Sequence, residues 1–279
     1  MGEMLRKMPP QNIVEAIFPW TVDALMKLVN LKVLSLAFLV GMGFNGAARA
    51  QGTALLDADS LDEAAGMVCE NSSILTAEMK ECQERQSKQA DTFRMMDYVW
   101  HGDNFDVLQV AQKMIASADA GAPQARAMLT MMQTGIAAAE LSIRLKPEIC
   151  TALVNEMISG SQDIKTTTPR AYAYLLAVYS RNAYMGARKQ RNDVEVGCVK
   201  GYWNKGYRNF DKGLAFCRCT TELIYSALTK QERQAMFAHA RGEQGAQDTA
   251  WMQKLSSKAQ PCVAILRSVP VAPAARKPG

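Results

Sequence analysis

The seven cysteines are the residues of this sequence with the greatest chemical potential. They are Cys69, Cys82, Cys150, Cys198, Cys217, Cys219 and Cys262. Cys217 and Cys219 flank Arg218, and a nearby cation lowers the pKa of a thiol and so increases its thiolate fraction. This pair would therefore suit a thiol–disulfide oxidoreductase or a redox sensor.

A structural role explains the same cysteines more simply. Redox-active pairs usually have Cys-x-x-Cys spacing within a strand–helix pattern, and no such pattern surrounds Cys217. Residues two apart on a helix point about 200° away from each other, so Cys217 and Cys219 are expected to bond to different partners. We expect one to reach Cys198 and the other Cys150 or Cys262. The odd number of cysteines leaves at least one unpaired within the chain.

The first two cysteines are expected to pair with each other. Cys69 and Cys82 lie at similar distances on either side of Asn71-Ser72-Ser73, a polar stretch that is typical of a turn between helices. An antiparallel helical hairpin would bring the two residues close enough for a Cys69–Cys82 disulfide.

The stretch Met26–Gln51 predicts export. Two lysines precede an uncharged, mostly apolar run over residues 33–44, and Ala48-Arg49-Ala50 has the small-x-small spacing of a signal peptidase site. The run is shorter than the roughly 20 residues that span a bilayer. We therefore predict that residues 1–50 form a signal segment, with translation starting at Met26, and that the protein is periplasmic or secreted. An inner-membrane anchor formed by an uncleaved signal is the alternative.

Composition and motifs argue against several classes of function. Five basic and three acidic residues lie in residues 1–50, which leaves the remainder with a net charge of +3; this is too mild to indicate a nucleic-acid partner. The chain has two histidines, His101 and His239, and neither has a second ligand at metal-binding spacing. It has no Gly-x-Ser-x-Gly, His-Glu-x-x-His or phosphate-loop motif. We predict no metal or cofactor and expect a non-enzyme, although dispersed carboxylates can still assemble a hydrolytic site.

The sequence predicts an all-α fold. Ala, Met, Leu and Gln are abundant, while Val and Ile are sparse, which favours helices over strands. Ser60–Glu63 and Thr229–Glu232 have the form of capping boxes at helix starts. We expect an irregular, disulfide-braced domain of about eight helices over residues 51–268, followed by a disordered Pro/Ala tail, residues 269–279. Similar small-residue spacing over residues 120–135 and 171–186 leaves a short helical-hairpin repeat array as the alternative.

The strongest candidate for a functional surface is the segment 181–218, predicted as a loop. It contains nine basic and three acidic residues, with four glycines between its aromatic residues from position 197 to 213. Cations interleaved with amphipathic rings suit an envelope protein, peptidoglycan or an anionic lipid surface. The alternative is a loop whose aromatic residues pack on the helices while its charges stay hydrated. The predicted contact residues are Tyr202, Trp203, Lys205, Tyr207 and Arg208. These features favour a non-catalytic binding or scaffold protein.

Overall fold

The computed structural model describes residues 58–117, 123–240 and 250–267, except for the side chains of residues 123–129 and 183–184. The predicted signal segment and the predicted tail lie outside the described residues and stay predictions. In the described ranges the regular structure is helical and no β-strand occurs, which confirms the all-α prediction.

Twelve α-helices and one 3₁₀ turn make up this part of the chain, somewhat more than the eight or so expected. They are α1 (Leu61–Arg85), the 3₁₀ turn (Ser87–Gln89), α2 (Ala90–Asp103), α3 (Phe105–Ser117), α4 (Pro123–Leu145), α5 (Ile149–Ser159), α6 (Ile164–Thr167), α7 (Pro169–Ser180), α8 (Ala183–Asn204), α9 (Phe210–Ala227), α10 (Lys230–Ala240), α11 (Ala250–Lys258) and α12 (Gln260–Arg267). None of the helices in the described ranges is both long and apolar enough to cross a membrane.

The described residues of the predicted 51–268 domain form two compact units, divided between Phe210 and Asp211. In the first unit α1 is the central helix, because α2, α3, α4 and α7 all pack against it. Its side chains Val68, Leu75 and Met79 are buried in the core. In a repeat array each unit contacts only its neighbours in sequence. The packing of α7 on α1 is therefore that of an irregular helical domain.

Helix α1 is continuous through the polar stretch that was predicted to end it. Ser73 donates a hydrogen bond to the Cys69 backbone carbonyl at 2.8 Å, within the helix. Ser72 is buried and its hydroxyl lies 3.0 Å from Nε2 of His101 on α2. A tertiary contact thus satisfies Ser72, and a bond within the helix satisfies Ser73, so neither hydroxyl ends the helix.

The continuity of α1 overturns the predicted Cys69–Cys82 disulfide. Thirteen residues along one helix separate the two cysteines by roughly 20 Å, far beyond the reach of a disulfide. Cys82 instead bonds to Cys150 on α5 with a Cα–Cα distance of 5.6 Å, and Cys69 is a free thiol. The disulfide joins the centre of the first unit to a helix that begins 64 residues after Arg85, the last residue of α1.

A buried carboxylate reinforces the same region. Glu81, next to Cys82, accepts hydrogen bonds from Nε of Arg85 at 3.0 Å and Nε of Arg144 at 3.1 Å. These bonds, together with the charges of both guanidinium groups, lower the pKa of Glu81 although its burial acts in the opposite direction. Because Arg144 lies at the end of α4, Glu81 ties α4 to α1.

The second unit contains α10, α11, α12 and nearly all of α9. Its buried side chains include Ile224, Met236, Trp251 and Leu255. The Thr229–Glu232 capping box is confirmed, because the Glu232 amide donates to Thr229 Oγ1 at 3.2 Å and the Thr229 amide donates to Glu232 Oε2 at 2.8 Å. Glu232 also pairs with Lys254 on α11.

A disulfide braces the second unit internally. Cys219 on α9 bonds to Cys262 on α12, which is one of the two partners expected for this pair of cysteines. Cys198 and Cys217 each belong to a disulfide as well. Six of the seven cysteines are therefore oxidised, as predicted for a disulfide-braced fold.

Candidate binding site at the turn between helices α8 and α9

Most of the segment predicted as a loop is helical. Helix α8 covers residues 183–204 and α9 begins at Phe210, so the connection between them is only five residues long. Each glycine in a helix interior costs about 1 kcal/mol, but packing on α2 offsets this cost. Val196 is buried against Gly102 of α2, and Asn192 Nδ2 donates to the Gly102 carbonyl at 2.8 Å.

The turn after α8 depends on one glycine. The Gly206 amide donates to the Trp203 carbonyl at 2.9 Å and the Lys205 amide donates to the Gly201 carbonyl at 3.1 Å. Gly206 has φ of +86°, a left-handed conformation that costs glycine little and other residues more. This glycine reverses the chain and starts the short connection to α9. We refer to residues 202–208 as the α8–α9 turn.

Aromatic rings and a cation hold the α8–α9 turn together. The ring of Tyr202 stacks on that of Tyr207, with centroids 4.9 Å apart and planes 22° apart. The Arg208 guanidinium lies 4.8 Å from the centre of the Trp203 ring. It also donates to the backbone carbonyls of Trp203 at 2.6 Å and Tyr207 at 3.2 Å. The turn is therefore ordered before any partner binds.

Phe210, the first residue of α9, anchors the turn to α2. Phe210 is buried, and its amide donates to Asp91 Oδ2 at 3.3 Å. Its ring lies edge-on to Tyr98 at 5.8 Å and beneath the Arg94 guanidinium at 4.9 Å. The position of the turn is thus set by contacts at both of its ends.

The five predicted contact residues meet at this turn, but they are not equally accessible. Tyr207 is 43% exposed, whereas Tyr202 is 5% exposed and supports the stack from below. Lys205 and Arg208 are exposed and Trp203 is half-buried. Although Lys205 is exposed, neighbouring side chains remove part of the water around its ammonium group and so lower its pKa. The accessible surface of the turn is therefore formed by Trp203, Lys205, Tyr207 and Arg208, while Tyr202 packs beneath it.

Other cations of the 181–218 segment are engaged within the protein. Lys200 Nζ lies 2.7 Å from both carboxylate oxygens of Asp103, and Arg188 lies 5.9 Å from the centre of the Phe105 ring. These contacts orient α8 on the preceding helices. They also reduce the positive charge that the segment presents to an anionic surface.

A second arrangement of polar side chains was not anticipated from the sequence. His101 Nδ1 lies 2.8 Å from the Asp97 backbone carbonyl and 3.4 Å from Asp97 Oδ1. Because a carbonyl only accepts, Nδ1 carries a proton. The other ring nitrogen, Nε2, lies 3.0 Å from Ser72 Oγ and 3.3 Å from Thr76 Oγ1. Burial raises the pKa of Asp97, while the nearby His101 acts in the opposite direction. The i, i+4 spacings of Ser72/Thr76 and Asp97/His101 are the sequence signal for this cluster.

The hydroxyl–imidazole–carboxylate order matches that of acyl-transfer triads, but the surroundings do not suit catalysis. Ser72 is only 7% exposed. It lies in the interior of α1, where the backbone amides belong to the helical ladder and so do not form an oxyanion hole. The cluster fits a structural role, in which polar side chains fix the register of α2 on α1.

The structure also bears on the predicted redox pair. Cys219 bonds to Cys262 on another helix, and Cys217 is itself in a disulfide. The two cysteines therefore have different roles in bracing the fold and do not form a dithiol. The remaining thiol, Cys69, is half-buried, and burial raises its pKa to about 11, which suppresses the reactive thiolate.

Among the described residues, no three His, Cys, Asp or Glu side chains are grouped so that they could hold a metal ion. No protein-family model, curated protein sequence or solved structure matches this chain. Functional inference therefore rests on the geometry of the chain itself.

Proposed function

We propose that this chain is an exported, non-catalytic binding or scaffold protein that engages an envelope protein through the α8–α9 turn. The Ala48-Arg49-Ala50 site supports export, and disulfides such as Cys82–Cys150 are typical of oxidising compartments. The observation that carries the proposal is the internally braced group of half-buried Trp203 and exposed Tyr207 and Arg208.

The residue types and their order favour a protein partner. Trp, Tyr and Arg are the residues most enriched among those that dominate the affinity of protein interfaces. A turn that is ordered before binding loses less conformational entropy when the complex forms. The Arg208 charge is already directed at a ring and two carbonyls, which makes it less available to a phosphate or carboxylate surface. Peptidoglycan and anionic lipid, the other partners expected from the sequence, serve as competing outcomes of the test.

The experiment compares the wild-type protein with the double variant Trp203→Ala/Arg208→Ala. Each is immobilised and exposed to detergent-solubilised envelope proteins, to purified peptidoglycan and to vesicles of phosphatidylglycerol and phosphatidylethanolamine. Retained proteins are quantified by mass spectrometry. We expect one or more envelope proteins to be retained by the wild type and at least tenfold less by the double variant, with unchanged helical circular dichroism in both.

A matched control changes an exposed aromatic residue and an exposed cation elsewhere in the first unit. The variant Tyr174→Ala/Lys113→Ala meets this requirement and should retain the same proteins as the wild type. Equal retention by all three proteins would refute the role of the turn. Retention of peptidoglycan or vesicles alone, lost in the Trp203/Arg208 variant, would keep the turn but replace the protein partner.

A further inference from the structure

An open cleft of about 460 Å³ lies between α7 and the first half of α8. Its lining consists of Tyr179, Gly186, Ala187, Lys189, Gln190 and Asp193. The volume falls within the range of small-molecule sites, about 300–1,000 Å³. None of these residues belongs to the α8–α9 turn, so the cleft is a feature that the proposed function does not use.

The charges in the cleft cancel each other. Lys189 Nζ donates to Asp193 Oδ1 at 2.9 Å, one helical turn away on α8. Burial of Lys189 acts to lower its pKa, but the bond to Asp193 and the charges of Asp193 and Asp106 outweigh this and raise it. The Lys189 ammonium therefore stays charged at neutral pH. Because it is paired with Asp193, the cleft offers neither an anion nor a cation an unopposed charge.

The other polar side chains that line the cleft, Tyr179 and Gln190, are neutral. Tyr179 is only 8% exposed and its hydroxyl donates to the Met185 carbonyl at 2.7 Å, so it forms part of the wall of the cleft. Burial raises the pKa of Tyr179, which keeps the phenol protonated. The Gln190 amide supplies both a donor and an acceptor.

Two small residues form an apolar floor beside these polar groups. Gly186 and Ala187 lie in the first part of α8, and a Cβ atom built on Gly186 would meet no atom within 4 Å. A flat ligand therefore has room to lie against the helix surface, with its edge directed towards Gln190, Lys189 and Asp193.

We propose that this cleft binds a neutral saccharide. A sugar ring has an apolar C–H face for the floor and hydroxyl groups that donate to Asp193 and accept from Lys189 and Gln190. An apolar ligand would desolvate these polar groups without giving them partners, which costs about 1–3 kcal/mol for each group. A zwitterionic amino acid would have to displace the Lys189–Asp193 pair in order to use its charges.

The test is isothermal titration calorimetry, in which the full chain is titrated with chitotetraose, a neutral oligosaccharide. The variant Gly186→Leu places a side chain in the cleft at a position where the structure has space. Gly197→Leu is the matched control, because it lies on the same helix, also has no atom within 4 Å of the added Cβ, and is outside the cleft. We expect the wild type and Gly197→Leu to bind equally, and Gly186→Leu to bind at least tenfold more weakly.

A second variant, Gln190→Ala, removes hydrogen-bonding groups without filling the cleft and should weaken binding severalfold. Absence of saturable binding to the wild type at millimolar sugar would overturn the proposal. The proposal would also be overturned if both Gly186→Leu and Gln190→Ala bound the sugar as tightly as the wild type. Tighter binding of the free amino acid glycine than of chitotetraose would overturn it as well. The Trp203→Ala/Arg208→Ala variant should bind chitotetraose normally, so that failure of the proposed turn and failure of the cleft are distinguishable.

Discussion

Replacing Cys82 and Cys150 together with alanine is expected to destabilise the first unit by about 3–4 kcal/mol. The disulfide joins residues 68 positions apart. In the chain-entropy model a loop of this length lowers the entropy of the unfolded state by about 15 cal/mol/K, or roughly 4.4 kcal/mol at 25 °C. We expect somewhat less than this limit, because unfolded chains under native conditions are more compact than the model assumes.

The assay is urea denaturation at neutral pH without reductant, followed by far-ultraviolet circular dichroism. The free energy of unfolding is extrapolated to water for the wild type and for Cys82→Ala/Cys150→Ala. The matched control is Cys69→Ala, which removes a half-buried thiol that belongs to no disulfide. This control should lose no more than about 1 kcal/mol, because it shortens a partly exposed side chain by one atom.

Two results would refute the reasoning. The first is a double variant with the same free energy of unfolding as Cys69→Ala. A disulfide that links residues 68 positions apart must change that free energy measurably when it is removed. The other is a disulfide-linked Cys69–Cys82 peptide in a digest of the non-reduced protein, which would mean that α1 is broken where the structure shows it continuous. A single thiol that reacts with iodoacetamide only after denaturation, mapped to Cys69, would agree with the structure.

Two further predictions concern the packing of α8 and the acid stability of the second unit. Gly102→Ala should destabilise the protein by about 1–2 kcal/mol in urea denaturation, because the added Cβ would lie 2.2 Å from a methyl carbon of buried Val196. Gly197→Ala is the control: its added Cβ meets no atom within 4 Å, so this variant should stabilise α8 by up to about 1 kcal/mol. Hydrogen bonds from Lys254 and from the Thr229 amide lower the pKa of Glu232 to about 2. The ionised Glu232 side chain therefore stabilises the fold fully above the pKa of an unfolded glutamate, about 4.3. This stabilisation is lost as the pH falls towards 2. Glu232→Gln should therefore lower the melting temperature at pH 6 and have little effect at pH 2; an equal decrease at both pH values would contradict this linkage.

Local chemistry explains which parts of the fold were predictable from the sequence. The capping interactions at Ser60 and Thr229 join residues three positions apart, so the sequence alone contains both partners. Pro169 begins α7 where its missing amide costs nothing. The course of α1 through Ser72 could not be predicted in this way, because the group that satisfies Ser72 is His101, 29 residues later.

The candidate site shows the same division between local and distant causes. The aromatic and basic residues of the turn are adjacent in sequence, so the sequence alone places them together. Their secondary structure differs from the predicted loop: most of the segment is helical, because packing on α2 offsets the cost of the glycines within the helix. The side chains that hold α8 in place, such as Asn192, Val196 and Lys200, bond to or pack on residues of α2 about 90 positions earlier. The burial of Tyr202, which removes it from the contact surface, follows from that packing.

The two proposed sites lie on one helix but are far enough apart to be occupied together. Fourteen residues separate Lys189 in the cleft from Trp203 at the turn, which corresponds to about 21 Å along the axis of α8. The two proposed sites therefore share no residue, and a small ligand in the cleft would leave the α8–α9 turn accessible. Coupling between two sites requires an element with two alternative arrangements. Between the cleft and the turn, Asn192 and Lys200 bond to α2 and hold α8 in one arrangement. If both proposals hold, α8 would act as a rigid scaffold, and binding at one site should leave the affinity of the other unchanged.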